Sequence, residues 1–418
     1  MKYALWFVRL VFAAWMIPAG LNHFVPLFPQ PMGSKPLSHE LIVALLDSHL
    51  FDLVKAVEFL AGVCALTGFY APLGVLVCMP VSFCVFYWDT PLEGWGSRAS
   101  MFGEAALLSN LILCVAYIKS YRSMFALRLK PRTAGTSVAP QAANAAGTRP
   151  QLVLAGRLVF GAWMLLNAVN YFFLSFWPTP PAGHEPLASQ LMDALVHSRL
   201  LNVAMTIQFV TGALILTGFF VPVALCVVMP ISTCALYWSL ILDHQLLGVA
   251  LSIAAFALNG LLMLAYLDYY QGVLQRSALM LGETAGSSFD LLLAKLNGRT
   301  SRNQFVAAAI TLVAVIVFYS YLVPGRSGEW SLLVLVVPGV VLLARRLHDM
   351  GHSAWPVAVP AVLTVAAFAI WLRLFSLGAQ LDAIVPWAAF VVCVGFAVWG
   401  CIAKSQAEAN SFGAPVAT

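Results

Sequence analysis

The sequence is short of charge. Only 9% of its 418 residues are Asp, Glu, Lys or Arg, against about a quarter in soluble globular domains. It has no C-x-x-C pair, although eight cysteines are present. All of them (Cys64, Cys78, Cys84, Cys114, Cys226, Cys234, Cys393 and Cys401) lie in apolar runs and read as small core residues, which argues against a disulfide framework or a zinc site. Walker loops, dinucleotide fingerprints and nucleophile elbows are also missing. What is present is apolar: 61% hydrophobic residues and a mean hydropathy of +0.88. Many runs reach the roughly 20 residues that a helix needs to cross the hydrocarbon core. The chain reads as an all-α polytopic membrane protein. Its first run has no small-residue cleavage site and is read as a retained span, not a signal peptide.

The apolar sequence repeats itself. RLVFAAWM (9–16) returns as RLVFGAWM (157–164), LTGFYAP (66–72) as LTGFFVP (216–222), and MPVSFCVFYW (79–88) as MPISTCALYW (229–238). Asn22 falls on Asn170, and Asn110 on Asn259. Such self-similarity marks a tandem duplication. About twelve spans are expected, as two four-helix bundles (1–130 and 151–280) and a C-terminal four-helix module (289–418). Between the bundles, 131–150 is rich in Ala, Thr, Pro and Gly and reads as a flexible cytoplasmic linker. Four spans per unit is an even number, so both copies enter the membrane with the same orientation and are related by a pseudo-two-fold axis along its normal. Pro80 and Pro230 fall inside the third span of each copy and predict matching kinks. Tyr87-Trp88 and Tyr237-Trp238 end those spans as interface aromatics.

Charge sets the expected orientation. Most of the 22 Lys and Arg fall at one end of the spans, among them Lys2, Arg9, Lys119, Arg157 and Lys295, whereas Lys35, Arg98, Arg199, Arg326 and Arg373 fall at the other. The positive-inside rule then places both termini in the cytoplasm. The net charge of +5 records this orientation, and no nucleic-acid partner is needed to explain it.

Two polar constellations stand out. In the first copy, His23, Asp52, Lys55, Glu58, Asp89 and Glu104 are expected on four helices around one outward-facing pocket. Asp52, Lys55 and Glu58 share roughly one helix face. At about 1.5 Å per residue, Glu58 and Glu104 would lie roughly 10 Å below the outer interface. Ionisable residues at membrane depth are functional candidates because insertion alone costs at least about 2.5–3.5 kcal/mol at a helix centre. A structural reading stands beside this one: Lys55 and Glu58 pair, and Asp52 caps its helix. The second copy carries Tyr171, Asn202, Met205, Gln208, Ser239 and Ile253 instead, so every ionisable member is lost. A haem is not favoured, since bis-His ligation needs two facing imidazoles. The second constellation is Arg299, Arg302, Arg345, Arg346, His348, Asp349, His352 and Trp355. It reads as a structural knot or a site for lipid headgroups, with Trp355 as an interfacial anchor. His348 and His352 have the i, i+4 spacing of helical metal ligands, but Gly351 is expected to end that helix, and no metal site is assigned.

Arg9, the segment EFLAGVCALTGF (58–69) and Glu104 make the duplicated unit resemble the DoxX family of small four-helix membrane proteins. The resemblance covers 5–120 and, more weakly, 152–270. It implies quinone chemistry, since some relatives are membrane subunits of quinone-linked sulfur oxidoreductases. The second copy departs from the pattern where Gln208 replaces Glu58 and Ile253 replaces Glu104. Gly298-Arg299-x-Ser301-Arg302-x-x-Phe305, Arg345-Arg346-Leu347-His348-Asp349-x-Gly351-x-Ser353-x-Trp355 and Asn410-x-Phe412-Gly413 are similar to domain-of-unknown-function family 805, the YhaH-type bacterial inner-membrane proteins. That likeness implies a multi-pass protein of a bacterial inner membrane and no known reaction.

Three functions follow as expectations. The first is a quinone- or small-ligand-binding membrane subunit of a redox system, with its site in the first copy and a redox partner protein. The alternative is a non-enzymatic scaffold or assembly factor that binds lipid or partner proteins. A transporter is the third. Whether the chain is an enzyme stays open at the level of sequence.

Overall fold

A computed structural model describes residues 1–128, 148–178, 181, 183–323 and 325–415, so most of the expected linker, 131–147, lies outside the described residues. The first repeat contributes α1 (Lys2–Phe24), α2 (Pro36–Asp47), α3 (Leu50–Thr67), α4 (Ala71–Leu92) and α5 (Arg98–Ala116). The second contributes α6 (Pro150–Leu174), α7 (Pro186–His197), α8 (Leu200–Thr217), α9 (Val221–Asp243) and α10 (Leu246–Ala265). Then come α11 (Arg302–Leu322), α12 (Arg326–Asp349), α13 (Trp355–Trp371) and α14 (Ala379–Ile402). Among the described residues, ten helices are long and apolar enough to cross a membrane. Two more complete the expected twelve: α3, which carries three charged residues (Asp52, Lys55 and Glu58), and α13, which is shorter. The chain is an all-α, multi-pass membrane protein. The short helices α2 and α7, each opened by a proline in its first turn, were not expected from hydropathy.

The duplication is written into the backbone. Both α3 and α8 have 18 residues, follow a left-handed residue (His49, φ 57°; Arg199, φ 59°) and end at a left-handed glycine (Gly68 and Gly218, both φ 81°). A left-handed glycine is a common helix stop because it carries no Cβ to clash. Polar side chains repeat as well. Asn110 donates to Ser82 Oγ at 2.9 Å, and Asn259 to Ser232 Oγ at 3.4 Å. Asn22 Oδ1 accepts from the amides of Leu27 and Phe28, and Asn170 Oδ1 from those of Phe176 and Trp177. These amides satisfy loop N–H groups that would be costly to bury unpaired. Within each repeat, small residues let helices approach: a Cβ on Gly62 would stand 2.8 Å from Ile17 Cγ1, and one on Gly212 2.6 Å from the Leu165 amide nitrogen. Such close contact is how helices associate in lipid, where apolar burial alone offers little driving force.

The repeats meet at both ends. At one end α2 packs on α7, with Leu41 and Ala44 in one apolar cluster with Leu191 and Ala194. Tyr87 Oη donates to the Ser198 carbonyl at 2.7 Å, and Tyr237 Oη to that of Ser48 at 2.8 Å. Reciprocal contacts of this kind are what a two-fold relation requires. The neighbouring Trp88 and Trp238 donate to the Ser38 and Ala188 carbonyls. These aromatics, expected as interface anchors, therefore hold α2 and α7 and join the repeats. At the other end, Phe220 N donates to Leu127 O at 3.2 Å and Ser123 Oγ to Tyr269 O at 2.7 Å.

α1 is the hub: half of its apolar window is buried, against 6% for α14. α11 packs on α1, where Tyr319 Oη donates to Val11 O at 2.6 Å and Phe318 meets Phe7 edge-on. The chain after α10 also returns to α1. Trp6 Nε1 donates to Glu283 Oε1 at 2.6 Å, and Arg9 pairs with Asp290 at 2.8 Å. Glu283, between the expected modules, and Asp290, at the start of the third, thus tie this stretch to one end of the first repeat.

Candidate functional site

Between their two points of contact the repeats enclose a groove of ≈2110 Å³. That exceeds the roughly 300–1,000 Å³ of ordinary small-molecule pockets and suits an elongated, lipid-like occupant. Its walls are pseudo-symmetric: Trp15 and Pro80 line it from one repeat, Trp163 and Pro230 from the other. Lys55, Glu58 and Asp89, expected around a pocket within the first copy alone, border a cleft lined by both repeats.

The wall chemistry is not symmetric. Lys55, Glu58 and Asp89 line the groove from the first repeat. Lys55 Nζ donates to Glu58 Oε2 at 2.7 Å, one helical turn away, and sits 4.8 Å from the Phe51 ring centroid. Both residues are buried. Removing two charges from water costs several kcal/mol per ion before their attraction offsets it, so a bulk-lipid location would be unfavourable without this pairing. Across the groove stands Gln208, whose buried Oε1 has no hydrogen-bond partner among the described residues. One wall offers a buried ion pair; the other carries only neutral polar groups, the amides of Asn167, Gln208 and Gln245 among them.

His23 and Asp52 form a separate pair next to this wall, at 2.6 Å, with His49 also reaching Asp52 at 3.3 Å. Neither His23 nor Asp52 lines the groove. Tyr171 Oη donates to Asn202 Oδ1 at 2.5 Å at the equivalent place in the second repeat, so the hydrogen bond survives while the charge is lost. Asp89 is buried, and a Cβ on Gly103 would stand 2.6 Å from its Cβ. With 3.6 residues per turn, Glu104 is then rotated away from α4. It is exposed, and the structure does not bring it to the group.

Other acids were missed. Glu93 accepts from the Ser34 amide at 2.8 Å and from the hydroxyls of Ser34 and Ser38, which ties the loop after α1 to the start of α2. Burial alone would raise its carboxyl, but these donated hydrogen bonds outweigh it and hold the group below the usual carboxylate range. In the second repeat Asp243 does the same work, accepting from the His184 amide at 2.6 Å. The sequence held a signal for both: an acid five residues beyond each duplicated tryptophan, Trp88 and Trp238.

The C-terminal constellation is closely knit. Arg299 and Arg346 both reach Asp349, at 3.1 Å for Arg299 Nε. The remaining donors of Arg299 face the carbonyls of Gln406 and Glu408, and Arg346 Nε faces Gly400 O at 2.7 Å. Arg345 faces Thr300 Oγ1 and the Lys295, Asn297 and Arg299 carbonyls. His348 stacks on Phe412 with centroids 3.9 Å apart and approaches Gly298 O at 3.1 Å. The four charged residues of this knot are almost fully buried, so their donors and acceptors serve the protein itself. Arg302, His352 and Trp355 are exposed, and His352 lies beside the Trp399 ring, not with His348. Gly351, at φ 83°, ends the turn between the two histidines. Among the described residues, no three His, Cys, Asp or Glu side chains form a metal-binding group.

Residues 293–414 match the family described as Protein of unknown function (DUF805). No curated protein and no solved structure matches the chain.

Proposed function

We propose that the groove between the repeats binds one lipophilic molecule with a polar carbonyl head, of the quinone class, and that the protein acts as the membrane subunit of a redox system. The observation that carries this reading is the buried Lys55–Glu58 pair opening onto a largely apolar cleft. Such a cleft, with a few convergent polar groups, is the usual form of a small-molecule site. The resemblance of the repeats to the DoxX family, read from Arg9, residues 58–69 and Glu104, favours the same ligand class. The residues fit a quinone: the Lys55 ammonium is a donor for a carbonyl oxygen, and Glu58 and Asp89 are carboxyl groups able to hold or accept a proton. A quinone supplies two-electron, two-proton redox capacity when bound, and its electrons come from a partner protein. We read both termini as cytoplasmic from the positive-inside rule, with Lys55 toward the outer side, and the membrane as a bacterial inner one from the resemblance of the C-terminal module.

Trp15, Trp88, Trp163 and Trp238 line the groove, so quenching of tryptophan fluorescence by added quinone in nanodiscs reports binding. Saturable quenching in the wild type that weakens in Glu58→Gln supports the reading. Equal quenching in both proteins, or only non-saturable quenching, contradicts it.

A second reading, a scaffold for lipid or protein partners, is favoured by α14, of which only 6% is covered and which exposes Trp387 and Phe390. Crosslinking from these positions that recovers a defined membrane protein would support it; recovery of lipid alone would oppose a protein partner.

A further inference from the structure

The two repeats begin their first helices in different company. In the first, Arg9 is fully enclosed: Nε donates to Ala65 O at 2.6 Å, one terminal nitrogen to Tyr117 Oη at 2.7 Å, and the other to Asp290 at 2.8 Å. Phe289 covers the guanidinium at 3.8 Å. The Asp290 carboxylate occupies the space over Gly68, where a Cβ would stand 1.8 Å from its Oδ1. Gly68 thus leaves room for an anion.

The second repeat keeps the receptacle and lacks the anion. Arg157 duplicates Arg9, Tyr266 duplicates Tyr117, and Gly218 has the same φ of 81° as Gly68. Tyr266 is fully buried, yet its hydroxyl has no hydrogen-bond partner among the described residues, and neither has Arg157 Nε. The terminal nitrogens of Arg157 lie 3.2 Å from where a Gly218 Cβ would be. Arg128 stacks over the adjacent Phe219 at 4.7 Å, adding a second positive charge. No Asp or Glu occurs between Glu104 and Glu185, so the sequence that joins the repeats contains no counterpart of Asp290.

We infer that the Arg157–Tyr266 site binds a phosphate group from outside the chain, as the counter-ion that Asp290 supplies to Arg9 in the first repeat. Guanidinium and phosphate make strong, geometrically matched hydrogen bonds, and a half-buried arginine near the start of a spanning helix is well placed for an anionic headgroup. The phosphate has two sources, a phospholipid headgroup and free inorganic phosphate, and the site stands independently of the groove.

The test uses the full chain. Native mass spectrometry after exchange into phosphatidylglycerol or phosphatidylcholine nanodiscs reads lipid retention. Thermal unfolding in detergent with and without millimolar inorganic phosphate reads the free anion. Phosphatidylglycerol retained over phosphatidylcholine in the wild type, and reduced about tenfold in Arg157→Gln and several-fold in Tyr266→Phe, assigns a lipid headgroup. Stabilisation by phosphate that both variants lose assigns the free ion. The inference is overturned if the wild type shows neither effect, or if both variants retain them unchanged. Tyr266→Phe, nearly isosteric, decides the matter should Arg157→Gln fail to fold.

Discussion

Tyr87 donates its hydroxyl proton to the Ser198 carbonyl across the boundary between repeats, and the reverse bond runs from Tyr237 to Ser48. A hydrogen bond of this kind contributes about 0.5–1.5 kcal/mol net. Tyr87→Phe and Tyr237→Phe should therefore lower unfolding stability by similar amounts, roughly additively in the double variant. Denaturation in mixed micelles measures this. A large loss in one variant and none in the other would contradict the reciprocal arrangement.

The Lys55–Glu58 pair separates stability from binding. Removing one partner of a buried pair leaves an uncompensated charge and costs about 3–5 kcal/mol, whereas replacing both with apolar groups is often near neutral. Glu58→Gln should destabilise the protein more than the double variant Lys55→Met/Glu58→Leu. Both should lose quinone-dependent quenching. A stable double variant that still binds quinone would detach the ligand from this pair.

Gly68 and Gly218 share a backbone conformation but not a neighbour. Gly68→Ala forces a methyl group into the Asp290 carboxylate as well as straining the turn, whereas Gly218→Ala meets only the movable end of Arg157. Hydrogen exchange should accelerate over 280–292 in Gly68→Ala and stay unchanged there in Gly218→Ala. Equal exchange in the two variants would show that Asp290 does not hold this segment to α1.

The contact between α2 and α7 should respond to pH from both sides. The folded-state pKa of Glu93 is depressed, so its contribution is present above the usual carboxylate value and fades as pH falls through its folded value. Hydrogen bonding to Glu40 raises His197. Its contribution is complete below about pH 6.5 and fades as pH rises through its folded value. Both partners of the second pair are exposed, so this limb is the smaller. Hydrogen exchange in α2 and α7 should be slowest between the two limits, with Glu93→Gln removing the acid limb and His197→Gln the alkaline one.

Much of the fold was legible because membrane burial acts on sequence locally. Each span needs its own apolar run, so hydropathy located α1 as readily as α14, and the copied RLVF segment exposed the duplication. The short helices α2 and α7 escaped notice because twelve residues with a polar face carry no such signal. Site residues were legible only where chemistry is local. Lys55 and Glu58 pair at i, i+3 within α3, a spacing visible in the sequence. Asp290 meets Arg9 across 281 positions, and no pattern near either residue announces the other. Glu104 misled because depth in a helix says nothing about direction: its neighbour Gly103 faces Asp89, which turns Glu104 outward. The groove itself belongs to neither repeat, so its walls could be read from sequence only as two separate bundles.

The central claim is that the cleft between the repeats holds a lipophilic molecule at Lys55 and Glu58. Native mass spectrometry of the protein extracted with its own lipids tests it most directly, comparing the wild type with Lys55→Met/Glu58→Leu. The account predicts one bound molecule of quinone mass in the wild type and its loss from a double variant that remains folded. A wild type that carries none, or a folded double variant that carries it equally, would contradict the account.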